Sequence, residues 1–328
     1  YISRLCCVNG GMPHSSQALT VNRLCGSGLQ AILTASKYVA LGETDFAIGG
    51  GAESMSRAAY LATGMRWGAR MGDAKMLDMV VGALADPFEG FHMGITAENS
   101  AEKWGLTREM QDALAVESHR RAAAAIAAGH FKSQILPIEI ASRKGTVVFD
   151  TDEHVRGETT IESLAKLKPA FKKDGTVTAG NASGLNDCAA AVVIAEASAA
   201  ARQGLQPLAR LVAYATAGVD PRYMGEGPIP AVKLALERAG LKLGDIDLIE
   251  ANEAFAAQAL AVAKGLDFDL AKTNPNGSGI SLGHPIGATG AVITVKALYE
   301  LQRIGGKYAL VTMCIGGGQG IAAIFERL

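Results

Sequence analysis

Two cysteines and a histidine stand where this chain could do chemistry, each beside a cluster of glycines. Cys25 sits in VNRLCGSGLQAI (residues 21–32), just ahead of a stretch with helical spacing. A thiol at a helix start meets free backbone N–H groups and the positive end of the helix dipole, and both favour a thiolate. Gly26 and Gly28 would let a ligand approach the backbone closely. Taken alone, such a cysteine is more often a small buried residue than a nucleophile. His284 lies in SLGHPIGATG (281–290), a rigid small-residue loop that positions the imidazole, either for a reaction or to satisfy a turn. Cys314 ends an apolar run and precedes Ile315 and three glycines; it can face a site beside their N–H groups or fill the core. Asn252 and Glu253 begin NEAF (252–255) at a strand-to-helix junction, where Asn252 can cap the helix or present its amide to a bound water.

These side chains need elements to carry them. LQAILTASKYVAL (29–41) has apolar residues at helical spacing, with Gly42 as its stop. DFAIGGGAES (45–54) reads as a buried strand ending in a glycine turn, and strand and helix in this rhythm predict a layered α/β fold. From about Ser56 to Gly180 the texture changes to an insertion with its own loops. It contains a helix over 110–129, capped by Thr107 and stopped by Gly129, and a short strand over 144–150. Its basic run KLKPAFKK (166–173) is a ligand patch or a solvated face. Regular α/β texture returns at 181–195. A helix follows over 230–240, then a strand running into a helix over 247–258, then two strands around a triple glycine over 308–325. The ending echoes the beginning: FAIGGG matches CIGGG in style, and each half has a glycine turn opening onto a helix. An internal duplication accounts for this, as does chance similarity of apolar strands and glycine turns.

Bulk composition narrows the class. The chain has 328 residues, 49% hydrophobic and 19% charged, enough for two or three packed units rather than a disordered chain. A net charge of −1 and 5% aromatics give no pull toward nucleic acid and no base-stacking surface. Five cysteines without a C-x-x-C pair argue against a disulfide framework or a zinc site and fit a reducing compartment. No apolar run is long enough to span a bilayer.

Four ordered motifs change the odds: NRLCGSG (22–28), NEAFAAQ (252–258), GHPIGATG (283–290) and CIGGGQG (314–320). Together they resemble the thiolase family over nearly the whole chain. The resemblance implies a duplicated αβαβα layered fold with an inserted loop domain. Residues 1–55, completed by about 181–204, would form the N-terminal half, 56–180 the loop domain and 205–328 the C-terminal half. It implies that Cys25 carries the acyl group as a thioester, that His284 activates it, and that Cys314 takes the α-proton from a second acyl-CoA. His284 and a water held by Asn252 would form one oxyanion hole; the N–H groups of Cys25 and Gly316 would form the other.

The loop domain resembles the part of thiolases that binds coenzyme A. His92 and Met93 open HMGITAEN (92–99), which matches a motif lining the pantetheine tunnel. Arg156 and Ser163 match positions near the nucleotide, and Phe171, Ala179 and Ser183 match others along the coenzyme. Coenzyme A thioesters are then substrates, with no separate cofactor and no metal. NPNGSGISLGH (274–284) and ARMGD (69–73) resemble the bacterial short-chain β-ketothiolases that supply polyhydroxyalkanoate synthesis. That resemblance implies a cytoplasmic acetyl-CoA C-acetyltransferase, assembled as a dimer or tetramer.

Rival readings are a degradative thiolase of broader chain length, a ketoacyl-ACP synthase, a silent acyl-CoA or lipid carrier, and a cysteine protease. A synthase would pair one cysteine with two histidines, or with histidine and asparagine. Cys314 disfavours that, and the intact Cys25, His284 and Cys314 set disfavours a carrier. Thiolases also carry a further segment before the point matching Tyr1, including a strand central to the N-terminal sheet. The chain is therefore expected to be a fragment. Its N-terminal sheet would be left with a gap and unpaired backbone groups, and it would fold poorly or be inactive.

Overall fold

A computed structural model describes residues 1–328. In chain order, the helices that frame the site are α1 (Ser27–Ala40), α2 (Met93–Trp104), α3 (Arg108–Ala127), α4 (Ile161–Ala165), α5 (Pro228–Ala239), α6 (Ala256–Leu266) and α7 (Thr289–Ile304). The strands are β1 (Phe46–Ser54), β2 (Ile138–Ser142), β3 (Gly145–Phe149), β4 (Asp187–Ala195), β5 (Ala209–Gly218), β6 (Leu248–Ala251), β7 (Tyr308–Ile315) and β8 (Gln319–Arg327).

The C-terminal sheet runs β5-β8-β7-β6. Its first two pairings are antiparallel and β7 pairs with β6 in parallel. Strand β7 is apolar on both sides because both sides are covered. Ala309, Val311, Met313 and Ile315 pack with Leu29 and Leu33 of α1 and with Ile293, Ala297 and Leu301 of α7. Leu310 turns the other way, toward Val232 and Ala235 of α5 and Val262 and Leu266 of α6. Cys314 shares that second side but joins a different cluster, with Met93, Val177, Met224, Ala254 and Phe255. The strand's period of two thus delivers Cys314 to the side of the sheet that meets the insertion.

The N-terminal sheet has two strands. β1 pairs antiparallel with β4, from Phe46 opposite Ala195 to Ser54 opposite Asp187. Helices α1 and α7 lie between the two sheets and meet where they begin. A Cβ on Gly28 would stand 2.6 Å from the Ala291 nitrogen, and one on Gly290 would stand 2.3 Å from the Leu29 nitrogen. Those two glycines let backbone touch backbone. This brings together the two glycine turns, at Cys25 and at His284, that the sequence sets 259 positions apart.

The insertion departs from the sequence reading in one place and follows it in another. The strand expected over 144–150 is β3, and its hairpin partner β2 was not expected; every residue of both is exposed. Helix α3 begins at Arg108 behind the expected cap, Thr107, whose hydroxyl accepts the Met110 N–H at 3.3 Å. Further on, Asn252 is not a helix cap. Helix α6 starts at Ala256 with Phe255 in the capping position, so Asn252 is left on the extended stretch after β6. No helix is long and apolar enough to cross a membrane.

Candidate active site

Cys25 stands in a single 3-10 turn, Leu24–Gly26, ahead of α1. Leu24 has φ +47°, an unfavourable left-handed conformation for a leucine. Short side-chain bonds hold it there. Asn22 Oδ1 accepts the Leu24 N–H at 2.9 Å. Ser27 Oγ accepts the Arg23 N–H at 2.9 Å and donates to the Leu24 carbonyl at 2.7 Å. This elbow presses against the end of β7, where a Cβ on Gly26 would stand 2.6 Å from Ile315 Cδ1. The Gly316 N–H therefore reaches the Cys25 sulfur.

The thiolate expected from the helix dipole is not the resting state. Cys25 is half-buried as a residue, but the surroundings of its sulfur are closed. Burial pushes the thiol up to about 11, against the N–H groups of Gly316 and of Cys25 itself, and the Glu53 carboxylate adds to the rise. One turn of N–H groups does not offset the lost hydration of a sulfur anion. Cys25 must therefore give up its proton as it reacts. Cys314, fully buried, is raised further by burial and by the neighbouring Cys25.

His284 is in a state that can take up a proton. Its ring is 5% exposed, and burial lowers it to about 4, so it is neutral at physiological pH. Thr289 Oγ1 lies 2.6 Å from His284 Nδ1 and 2.9 Å from the Pro285 carbonyl. The one hydroxyl hydrogen goes to the carbonyl, so Nδ1 carries a hydrogen and donates to Thr289. That leaves Nε2 as the free base. The His284 N–H donates to Asn186 Oδ1 at 3.0 Å, and the Gly287 N–H to Glu53 Oε2 at 2.9 Å. Because the base must be neutral, kcat/KM should hold as pH falls below 6.5 and be lost near 4, as His284 protonates. A pH–rate profile with an acid limb near the ordinary histidine value would contradict this assignment.

Asn252 Nδ2 lies 3.4 Å from both ring nitrogens of His284, and its buried Oδ1 has no protein partner. That oxygen is free to accept a hydrogen from water, as an oxyanion hole would use it. Beyond Cys25, a cavity of about 280 Å³ opens between Leu24, Met93 and Phe88 on one side and Gly316 and Gly317 on the other.

The family model described as "Thiolase, N-terminal domain" matches residues 1–198, and "Thiolase, C-terminal domain" matches residues 205–327. The chain belongs to the thiolase family. This thiolase is 68% identical to the beta-ketothiolase BktB of Cupriavidus necator, an alignment covering 100% of this chain and 84% of that protein. It is 54% identical to an acetyl-CoA acetyltransferase of Allochromatium vinosum, over 98% of this chain and 82% of the relative. Among solved structures, it superposes on the Bacillus anthracis acetyl-CoA acetyltransferase with TM-score 0.97 and 49% identity, over 99% of this chain and 82% of that one. Human mitochondrial 3-ketoacyl-CoA thiolase in complex with CoA gives TM-score 0.96 and 47% identity, over 100% and 82%. The layered α/β thiolase fold implied by the four motifs is thus the fold of this thiolase.

The residues expected to meet coenzyme A fall into two groups. His92 caps α2, its Nδ1 accepting the Gly94 N–H at 3.0 Å. Its ring stacks on Phe171 at 4.6 Å, and Phe171 meets Phe255 edge-on at 6.0 Å. Buried Met93 reaches the other way, toward Gly316. Glu98 accepts the N–H groups of Thr176 and Val177, each at 2.9 Å, and so fixes the segment that bears Phe171 and Ala179. Ser183 donates its N–H to the Ala254 carbonyl at 3.0 Å. These residues gather around the NEAF segment. Arg156 and Ser163 lie on a separate strap, residues 152–165. There the Ser163 hydroxyl is engaged in the cap of α4, donating to the Thr160 carbonyl at 2.7 Å. Lys172 pairs with Glu102 at 3.7 Å. The sequence reading did not single out Thr289, Asn186 or Glu53. Thr289 lay within the GHPIGATG motif; Asn186 and Glu53 carry no signal until the fold places them beside the histidine loop.

Proposed function

We propose that this thiolase joins two short acyl-CoA molecules into a 3-ketoacyl-CoA, and runs the reverse thiolysis, through an acyl group held on Cys25. The observation that carries the reading is the fixed tautomer of His284, which leaves Nε2 as a base in a pocket shared with Asn252. The names of the relatives, beta-ketothiolase and acetyl-CoA acetyltransferase, support the same reaction.

In the first half, the Cys25 thiol passes its proton to His284 Nε2 and its sulfur attacks the thioester carbonyl. The N–H groups of Gly316 and Cys25, which lie beside the Cys25 sulfur, are assigned to the developing oxyanion. The coenzyme A thiolate departs and takes the proton of Cys314, leaving Cys314 as a thiolate near the His284 imidazolium. In the second half, Cys314 removes the α-proton of the second acyl-CoA. The enolate is held by His284 and by a water on Asn252. The enolate carbon attacks the acyl carbonyl on Cys25; the Cys25 sulfur leaves and recovers its proton from His284. All three groups return to their starting protonation.

His92, Met93, Phe171, Ala179 and Ser183 are assigned to the pantetheine arm, and Arg156 and Ser163 to the nucleotide. The short-chain subtype, a place in polyhydroxyalkanoate supply, cytoplasmic location and a dimeric or tetrameric assembly complete the reading. The bacterial beta-ketothiolase relative favours the place in polyhydroxyalkanoate supply, and five free cysteines fit a reducing compartment.

The test is incubation with acetyl-CoA, acid quench and peptide mapping by mass spectrometry, followed by thiolysis assays with acetoacetyl-CoA and longer 3-ketoacyl-CoAs. An acetyl group on Cys25 that is lost in Cys25→Ala and His284→Ala is the expected result, with acetoacetyl-CoA the better substrate. A folded protein that forms no adduct on Cys25 would sink the acyl-cysteine reading. A clear preference for long chains would sink the short-chain one.

A further inference from the structure

The strap that bears Arg156 is anchored at its far end, where Arg108 Nη2 donates to the Leu164 carbonyl at 2.6 Å and buried Leu164 packs with Ala115, Ala256 and Ile280. Its turn closes on itself: the Arg156 carbonyl accepts from the Thr159 hydroxyl at 2.8 Å and from the Thr159 N–H at 3.1 Å. Toward the body, the Arg156 N–H donates to His119 Nδ1 at 3.2 Å. His119 projects from α3 and is 6% exposed. The bond fixes its tautomer, with Nδ1 the acceptor and the ring hydrogen on Nε2. A second histidine joins in from the strap itself. The His154 ring lies 6.5 Å from that of His119 and reaches the backbone of Ile280, in the short helix Gly279–Leu282 that precedes His284. It also lies flat on Gly184, where a Cβ would stand 2.3 Å from His154 Cε1.

Burial keeps both imidazoles below the ordinary histidine value, with His154 and Arg156 adding to the effect at His119. Each is therefore neutral at physiological pH, so His119 Nδ1 keeps the lone pair that the Arg156 N–H needs. Neither histidine belongs to the acyl-transfer set. An acceptor buried in a helix and aimed at the backbone of one exposed arginine acts on that arginine's placement.

We propose that His119 is a positioning residue for coenzyme A: by accepting the Arg156 N–H it holds the strap in the form that presents Arg156 to the nucleotide. This rests on the reading of Arg156 as a nucleotide contact. It predicts an effect on coenzyme A affinity and none on the acyl-transfer chemistry.

The experiment compares thiolysis of acetoacetyl-CoA, held at saturating concentration for each variant, by coenzyme A and by N-acetylcysteamine, which has the reactive thiol arm but no nucleotide. In His119→Phe the acceptor is gone while an aromatic ring still fills the site. KM for coenzyme A should rise about tenfold, roughly the ~1.4 kcal/mol of one lost hydrogen bond. The value of kcat should stay within about twofold, and N-acetylcysteamine kinetics should match the unaltered enzyme. In His119→Asn the side-chain Oδ1 replaces Nδ1 as acceptor and should restore KM. Should His119→Phe fail to fold, Gly184→Ala, which displaces the His154 ring from the same strap, is expected to give the same rise in KM alone. An unchanged KM for coenzyme A overturns the proposal, as does an equal loss with N-acetylcysteamine or a folded His119→Asn that behaves like His119→Phe. Absence of thiolysis by the unaltered enzyme with either thiol would instead overturn the acyltransferase reading.

Discussion

Cys314→Ala enzyme will still become acetylated at Cys25, yet it will condense acyl-CoA about 10²–10⁴-fold more slowly, the usual contribution of a positioned proton acceptor. The separation follows from geometry. In the proposed reaction the attack on the thioester uses Cys25, the Gly316 N–H and His284 Nε2, none of which depends on the Cys314 sulfur for its position; Cys314 only protonates the departing coenzyme A thiolate, which water can do in the variant. Removal of the α-proton is assigned to Cys314, a buried thiol beside Cys25 that packs among Met93, Val177, Met224, Ala254 and Phe255. Replacing a buried cysteine with alanine removes one atom from that cluster, so the fold should survive. Acetyl-Cys25 should accumulate to full occupancy, read by mass spectrometry, while acetoacetyl-CoA formation falls. Condensation within tenfold of the unaltered rate would make Cys314 a core residue and reopen the choice of base.

Lys296→Met will cost about 3–5 kcal/mol of stability, the range seen when one partner of a buried ion pair is removed. Lys296 Nζ donates to Glu250 Oε2 at 2.8 Å and to the Gly277 carbonyl at 2.5 Å, with side chains 5% and 0% exposed. It is the cation facing two buried carboxylates. Glu250 lies at the end of β6, and Glu253 accepts from Ser118 at 2.6 Å and from Asn274 at 3.1 Å. Burial, opposed by Lys296, pushes the Glu250 carboxyl up to about 7, and burial raises Glu253 as well.

The sign of the pH dependence follows. A carboxyl raised above its unfolded value stabilises the fold at low pH, and that stability is lost as pH rises through the folded value. Without the ammonium the Glu250 carboxyl rises further, so the deficit of Lys296→Met should be larger at pH 8 than at pH 6. Urea unfolding at both pH values would show it. The neutral pair Glu250→Gln with Lys296→Met should recover most of the loss, because no charge is then left buried alone. A single variant that loses less than about 1 kcal/mol at pH 8 would show that the pair does not support the fold. The same pair ties Gly277 to β6 on the way to His284, so a destabilised Lys296→Met is also expected to lose activity.

Much of this was legible before any coordinates. Helix α1 and the paired strands around the triple glycine follow from apolar spacing and from glycines at their ends, local signals that fix them to within a residue or two. Strand β1 lies where expected but is not a buried strand ending in a glycine turn: Gly49, Gly50 and Gly51 lie inside it, paired with β4, and Phe46 and Ile48 are exposed. The other misses share a cause. Hairpin strand β2 is exposed on both faces, so no apolar alternation marks it. Asn252 reads equally as cap or as ligand until the start of α6 is known.

What the sequence determined by itself is the set of reactive types and their local settings: a thiol on a glycine elbow, a histidine before a proline, a second thiol at the end of an apolar strand. What only the tertiary structure decided is their state. Cys25 rests as a thiol because the packing of β7 and α1 removes water from its sulfur, which outweighs the helix start that the sequence displays. His284 presents Nε2 because Thr289 gives its only hydrogen to the Pro285 carbonyl. Charge state and tautomer depend on hydration and on partners brought from other segments. No run of residues carries them until the chain has folded.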